Sequence, residues 1–225
     1  MDLDYKAIFK ELNRLKIDYL VVGGLAVNFH GVPRMTYDID LMMLLQSNNI
    51  LKLITKLTQW GYKPKIPVDP KDLANRTNRE LWVHDKGMKA LNFYSDKLSI
   101  AEIDLVFNSP IPYGQLKKRA VKIEIQGEKI PTISIHDLIE LKLKAGRKQD
   151  LADVEHLKLV LESFGEMMGR GKKGFSYTVS SEQVNDYRKW PIERRLEWLF
   201  LANKMRKFLP RKTIELQEAF RQGRI

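Results

Sequence analysis

The sequence predicts an α+β fold: strands and helices interleave over roughly the first 164 residues, and a helical unit closes the chain. Three observations support this. Short apolar runs bounded by turn residues recur through the first two thirds and alternate with segments of helical period. One such run, Tyr19–Val22, ends in the pair Gly23-Gly24, and Asp38-Ile39-Asp40 heads the next. After the glycine-rich stretch 165–174, GEMMGRGKKG, every periodic segment is helical. The expected organisation is a domain over 1–164, a linker at 165–174 and a basic helical unit over 175–225.

Residues 3–16 place Leu3, Ala7, Ile8, Leu12 and Leu15 on one helical face. Tyr19–Val22 reads as a strand, and Leu25–His30 as a short helix closed by Gly31 and Pro33. A second strand starts near Thr36 and runs to Leu45. Asn48 or Asn49 is expected to cap a helix through Trp60, with Ile50, Leu51, Leu53, Ile54 and Leu57 inward and Gly61 at its end. The segment from Tyr62 to Asn78 carries three prolines and reads as a loop or lid with at most one helical turn, from which Arg76 and Arg79 could reach phosphates.

Leu81–His84 and Lys89–Tyr94 read as strands joined at Lys86-Gly87, followed by a strong strand over Ser99–Phe107. Val121–Ile125 and Lys129–Ile133 read as a hairpin about Gln126-Gly127-Glu128. Ser134 opens a helix that ends at Gly146, and Asp150 is expected to cap the next, with Asp153 at the capping-box position. Near the C-terminus, Ser181 caps a helix to Trp190, Pro191 starts another through Leu209, and Pro210 precedes a last one. Trp190 and Trp198 read as packing residues.

The chain has 225 residues, 44% of them hydrophobic, and a mean hydropathy of −0.36, as in ordinary globular proteins. No apolar run approaches a membrane span. It has no cysteine, which excludes a disulfide framework and cysteine-based zinc sites. The first residues form a charged amphipathic helix without signal-peptide character, so a cytoplasmic location is expected. The net charge is +11. The first 164 residues hold 25 Lys/Arg against 21 Asp/Glu, and the last 61 hold 14 against 7. A basic excess concentrated at one end suits a polyanionic partner such as RNA.

Asp38 and Asp40 alternate with an apolar residue, so on a strand both carboxylates share one face. Two acids so placed at the head of a buried strand repel each other and resist desolvation, which a divalent cation relieves. Gly23-Gly24 lets backbone approach a ligand, and N–H groups at the start of the following helix suit phosphate. On the strand through Ser99–Phe107, Glu102 and Asp104 share a face opposite Ile103 and Leu105. Lys142 sits beside the buried stripe of its helix, where an ammonium needs an anion. A nucleotide phosphate or a buried carboxylate would each serve, and phosphate is the reading taken.

Strand, Gly-Gly, thirteen intervening residues and Asp-x-Asp before an apolar strand resemble the nucleotidyltransferase superfamily with the DNA polymerase β-like fold. The resemblance implies a mixed β-sheet flanked by helices. It assigns nucleotide phosphates to Gly23 and Gly24, and two Mg²⁺ ions to Asp38, Asp40 and a third carboxylate. Asp104 matches that third position, with Glu102 as its fallback. Lys142 and Arg34 would offset charge on departing pyrophosphate. His30 and His136 would make local hydrogen bonds.

The segment Leu141–Leu157, LKLKAGRKQDLADVEHL, is similar to the end of the catalytic domain in the AbiEii-type toxin and minimal-nucleotidyltransferase branch. The resemblance therefore implies transfer of an NMP from an NTP to an acceptor hydroxyl on RNA, tRNA above all, or on protein, with a cognate antitoxin as a possible partner and no membrane. Two other classes stay open: a small-molecule enzyme of the antibiotic-modifying kind, and a non-catalytic nucleotide- or RNA-binding relative.

Overall fold

The computed structural model describes residues 3–162, 179–221 and 223–224; the expected linker at 165–174 lies outside them. Seven strands form one mixed sheet: β1 (Tyr19–Val22), β2 (Asp38–Met43), β3 (Lys63–Pro64), β4 (Ala90–Tyr94), β5 (Glu102–Val106), β6 (Val121–Ile125) and β7 (Glu128–Thr132). Their order is β3-β4-β5-β2-β1-β7-β6. β2 runs antiparallel to β1 and parallel to β5, while β4 is antiparallel to β5.

The period of two decides which face is dry. Ile39, Leu41, Ile103 and Leu105 are completely buried in one core with Ile8, Phe9 and Leu12 of helix α1 (Tyr5–Arg14). Ile50, Leu53, Ile54 and Leu57 of α3 (Ser47–Gln59) join it. The alternate positions, Asp38, Asp40, Glu102 and Asp104, therefore share the other face. Between β1 and β2 lies the short helix α2 (Gly23–Phe29).

Some local expectations are corrected. Residues 81–84 are not a strand but part of helix α4 (Arg76–Lys86). Asn75 caps it by accepting from the Thr77 and Asn78 N–H groups, and Gly87 ends it in the left-handed conformation. The run Leu-Trp-Val-His reads as alternation, yet the helix buries Trp82 and leaves Leu81 51% exposed. The lid segment holds β3 and a 3₁₀ turn (Pro70–Ala74) before α4, more structure than one turn. A short helix, α5 (Tyr113–Arg119), precedes the hairpin.

Asn49 does not cap α3. Its buried side chain bridges the Asp18 N–H, the Asp18 carbonyl and the Leu44 carbonyl, pinning the helix to the end of the β1–β2 pair where β1 starts and β2 finishes. Helix α6 (Ile135–Ala145) is capped by Ser134 and ended by Gly146, as its sequence indicates. Helix α7 (Lys148–Glu162) starts before Asp150, so that acid lies inside its first turn.

The C-terminal helices are α8 (Ser181–Lys189), α9 (Ile192–Arg206) and α10 (Arg211–Arg221). Ser180, rather than Ser181, caps α8 in a reciprocal capping box with Gln183. They contact α1, α2 and the segment before β2. Asn28 Nδ2 donates to Tyr187 Oη at 2.5 Å, Asn203 Nδ2 donates to Tyr5 Oη at 3.0 Å, and the Arg206 guanidinium lies 4.3 Å from the Tyr37 ring centre. Trp190 and Trp198 flank Tyr187 with ring centres 5.3 and 6.3 Å away. No described helix is long and apolar enough to cross a membrane.

Candidate metal and nucleotide site

The parallel register sets Asp38 opposite Glu102 and Asp40 opposite Asp104. Residues so paired point to the same face, and the strands lie about 4.8 Å apart. The result is a cluster in which one ligand oxygen each from Asp38, Asp40 and Asp104 lies within 4.8 Å of the others. Asp38 and Asp104 are buried and Asp40 is partly exposed, so the cluster opens to solvent on one side. Its donors are all carboxylate oxygens. That hard, anionic set fits Mg²⁺, which prefers oxygen ligands and keeps open positions for water and phosphate.

Glu102 shares the face but is taken by another partner: the Lys65 ammonium lies 2.8 Å from its carboxylate. The structure thus separates the two acids of β5, assigning Asp104 to the cluster and Glu102 to an ion pair.

The two acids of β2 are held from outside. Thr36 Oγ1 donates to Asp38 Oδ1 at 2.6 Å, and the Gly24 N–H donates to Asp40 Oδ2 at 3.4 Å. The backbone here cannot carry side chains. Gly23 has φ +62°, and a Cβ on it would overlap the Asp40 carboxylate. A Cβ on Gly24 would overlap Arg34 and Thr36. The glycine pair therefore keeps bare backbone against the acids.

Behind the cluster runs a chain of buried charges. Arg34 Nε sits 3.0 Å from Asp153. Lys142 Nζ bridges Asp153 at 2.6 Å and Asp150 at 3.1 Å. Arg147 Nε donates to Asp150 at 2.6 Å. Lys142 is thus provided with two carboxylates rather than left facing phosphate, and Asp150 and Asp153 are its partners rather than helix caps. Burial alone would raise Asp150, but hydrogen bonds and charge from Arg147 and Lys142 hold it below the usual carboxylate range.

Arg147, missed in the sequence, stands at the outer end of this chain. Its side chain is 49% exposed. Its pKa is raised mainly by the Asp150 hydrogen bond, against the effect of burial, and then by the charges of Asp150, Asp40 and Asp38. It therefore lies within the electrostatic field of the cluster. The i,i+3 pairing with Asp150 looks in sequence like any surface ion pair, which is why it gave no signal.

The remaining sequence candidates are engaged elsewhere. Arg76 pairs with Glu80, Arg79 donates to the Leu73 carbonyl, and the partly buried His30 ring makes a 2.8 Å hydrogen bond to the Ile133 carbonyl.

Residues 1–190 match the family model described as nucleotidyltransferase of unknown function (DUF6036). No curated protein matches the sequence. Among solved structures, the chain is similar to lincomycin-bound lincosamide antibiotic adenylyltransferase LnuA, with 16% identity and a TM-score of 0.46 over 71% of this chain and 99% of that one. It is similar to an antigenic nucleotidyltransferase-like protein from Paracoccidioides brasiliensis, with 17% identity and a TM-score of 0.44 over 69% and 73%. It is also similar to the antibiotic-resistance factor ANT(2'')-Ia, with 13% identity and a TM-score of 0.44 over 88% and 93%.

Proposed function

Since this chain belongs to the DUF6036 family of nucleotidyltransferases, we propose that it is a Mg²⁺-dependent enzyme that moves an NMP from an NTP to an acceptor hydroxyl. The observation that carries the reading is the convergence of Asp38, Asp40 and Asp104 from two strands, with Gly23 backed directly against Asp40. A non-catalytic relative has no need to keep three carboxylates together against their mutual repulsion.

In this reading Asp38, Asp40 and Asp104 hold the metal. Mg²⁺, when bound, neutralises phosphate charge and lowers the pKa of a coordinated hydroxyl. Gly23 and Gly24 present bare backbone to the triphosphate, which approaches from the β1 side. Arg147 reaches the β- and γ-phosphates and stabilises the charge that gathers there as pyrophosphate leaves. Arg34 and Lys142 act one step back, fixing Asp153 and Asp150 so that Arg147 is held in place. Asp104, on the strand away from Gly23, orients the acceptor hydroxyl and takes its proton. The hydroxyl oxygen bonds to the α-phosphorus as the bond from that phosphorus to the bridging oxygen breaks.

For the acceptor, a small hydroxylated molecule is placed ahead of RNA or protein. RNA rests on the C-terminal positive charge, and several of those cations are engaged within the helical unit. Arg195 donates to the Trp190 and Arg188 carbonyls, Arg206 pairs with Glu218, Lys189 with Asp186 and Arg211 with Glu215. A toxin role with an antitoxin partner rests on the Leu141–Leu157 segment, whose Lys142, Asp150 and Asp153 form a structural charge chain.

The test is transfer of label from each α-labelled NTP in the presence of Mg²⁺, with an Asp38→Ala/Asp40→Ala variant as control. Label that moves to an acceptor with the wild type and not with the control supports the reading. Mg²⁺-dependent NTP binding absent from the wild type would sink it.

A further inference from the structure

Resting on that reading, we propose that the acceptor is a small hydroxyl compound with an apolar body and an anionic group, bound in a groove over β4 beside Asp104. The register leads there. Asp40, Asp104 and Asn92 lie in one row across β2, β5 and β4, since Asp104 pairs with Asp40 on one side and with Asn92 on the other. Directly paired residues on antiparallel strands share a face, with Cβ atoms about 5 Å apart. Asn92 therefore stands next to Asp104 on the carboxylate face.

A groove with an open volume of about 670 Å³ begins at this residue. Along β4 it is lined by Ala90 and Asn92 and skips the buried Leu91, which places it on the same face as the metal cluster. Its far wall is Ile66, Pro67 and Val68, held in place because the Lys65 N–H donates to the Asn92 carbonyl. The position follows the logic of the reaction. Gly23 and Gly24 take the β1 side of the acids, so the incoming hydroxyl arrives from the β5 side, and the sheet continues from there into the groove.

The lining states the chemistry. Ile66, Val68 and Met88 give an aliphatic wall, and Lys86 and Lys89 stand at its rim. Neither a carboxylate nor an aromatic ring is among the described residues that line it. A polycationic acceptor would meet two ammonium groups with no acid to receive it. RNA ends are held by aromatic stacking platforms, which this groove lacks. The volume lies in the range of pockets that enclose drug-sized ligands, roughly 300–1,000 Å³. An apolar molecule bearing a carboxylate or phosphate satisfies the wall and both lysines.

The experiment offers the protein Mg²⁺, α-labelled NTP and a cytosolic small-molecule extract split into anion-exchanger-retained, cation-exchanger-retained and unretained fractions, with total RNA and cytosolic protein in parallel. Two groove variants, Ala90→Trp and Lys86→Glu/Lys89→Glu, are run beside the wild type, and binding of a non-hydrolysable ATP analogue with Mg²⁺ is titrated for all three. The expected result is label on a compound of the anion-retained fraction, reduced about tenfold or more in both variants, with ATP-analogue affinity unchanged. Label on RNA, on protein or in another fraction would overturn the proposal. So would transfer that the groove variants leave intact, or a wild type that binds the analogue and labels nothing. A wild type that does not bind the analogue would mean that the nucleotidyltransferase reading itself had failed.

Discussion

Gly23 and Asp40 occupy adjoining space so closely that a single added carbon on the glycine would overlap the carboxylate. The +62° φ of Gly23 adds about 1–2 kcal/mol of strain for any L side chain. Gly23→Ala is therefore expected to displace Asp40 and lower transfer by about 100-fold, with Mg²⁺ affinity falling alongside. A variant that keeps wild-type turnover would show that the glycine's contact with Asp40 is not part of the chemistry.

Lys142 is expected to be a stability residue first. Lys142→Met leaves Asp150 and Asp153 buried with one cation fewer, a change that costs about 3–5 kcal/mol in comparable buried pairs. Urea denaturation should show the loss directly. Wild-type stability combined with weakened ATP binding would instead place the ammonium on the nucleotide.

Arg147→Ala separates the two roles in the opposite direction. The side chain is half exposed and Lys142 still faces Asp150, so stability should fall less than in Lys142→Met, while turnover should fall about 100-fold for the loss of one charge-stabilising donor. Arg147→Lys should recover little of it, because a lysine lacks the fork that holds Asp150 and faces outward at once. Equal turnover in Arg147→Ala would remove the residue from the site.

Stability should also fall in mild acid. His156 accepts the Val179 N–H at its Nε2 at 3.1 Å, which requires that nitrogen unprotonated. Burial lowers its pKa below the ordinary 6.5, against the pull of Asp153 and Glu155. On acidification the unfolded chain takes up the proton first, so stability is fully present above 6.5 and declines as pH drops toward the folded value. His30, partly buried, shifts in the same direction through loss of solvation. Denaturation from about pH 7.5 to about pH 5 should show the decline, and His156→Gln should flatten part of it. A slope unchanged by the substitution would assign the effect elsewhere.

Where a residue's role depends on near neighbours and strand period, the sequence was enough to place it. Tyr19–Val22 has the boundaries expected of it, and Asp38, Asp40 and Asp104 share a face because alternation on β2 and β5 leaves them no other. Roles that depend on distant partners were not visible. Lys142 finds its acids eight and eleven residues onward, on another helix, where the same acids look like caps. Leu81–His84 alternates like a strand, and its cap at Asn75 and the burial of Trp82 make it a helix. The groove over β4 is assembled from the lid, the end of α4 and the register of two strands, so no local pattern announces it.

The most direct test of the site as one centre is calorimetric titration of a non-hydrolysable ATP analogue, with and without Mg²⁺, into the wild type and the variants Asp38→Asn, Asp40→Asn and Asp104→Asn. Three carboxylates sharing one metal site predict Mg²⁺-dependent binding in the wild type that weakens in every variant, each variant remaining folded by circular dichroism. Binding that ignores Mg²⁺, or that survives unchanged in any of the three, would contradict a shared metal centre at Asp38, Asp40 and Asp104.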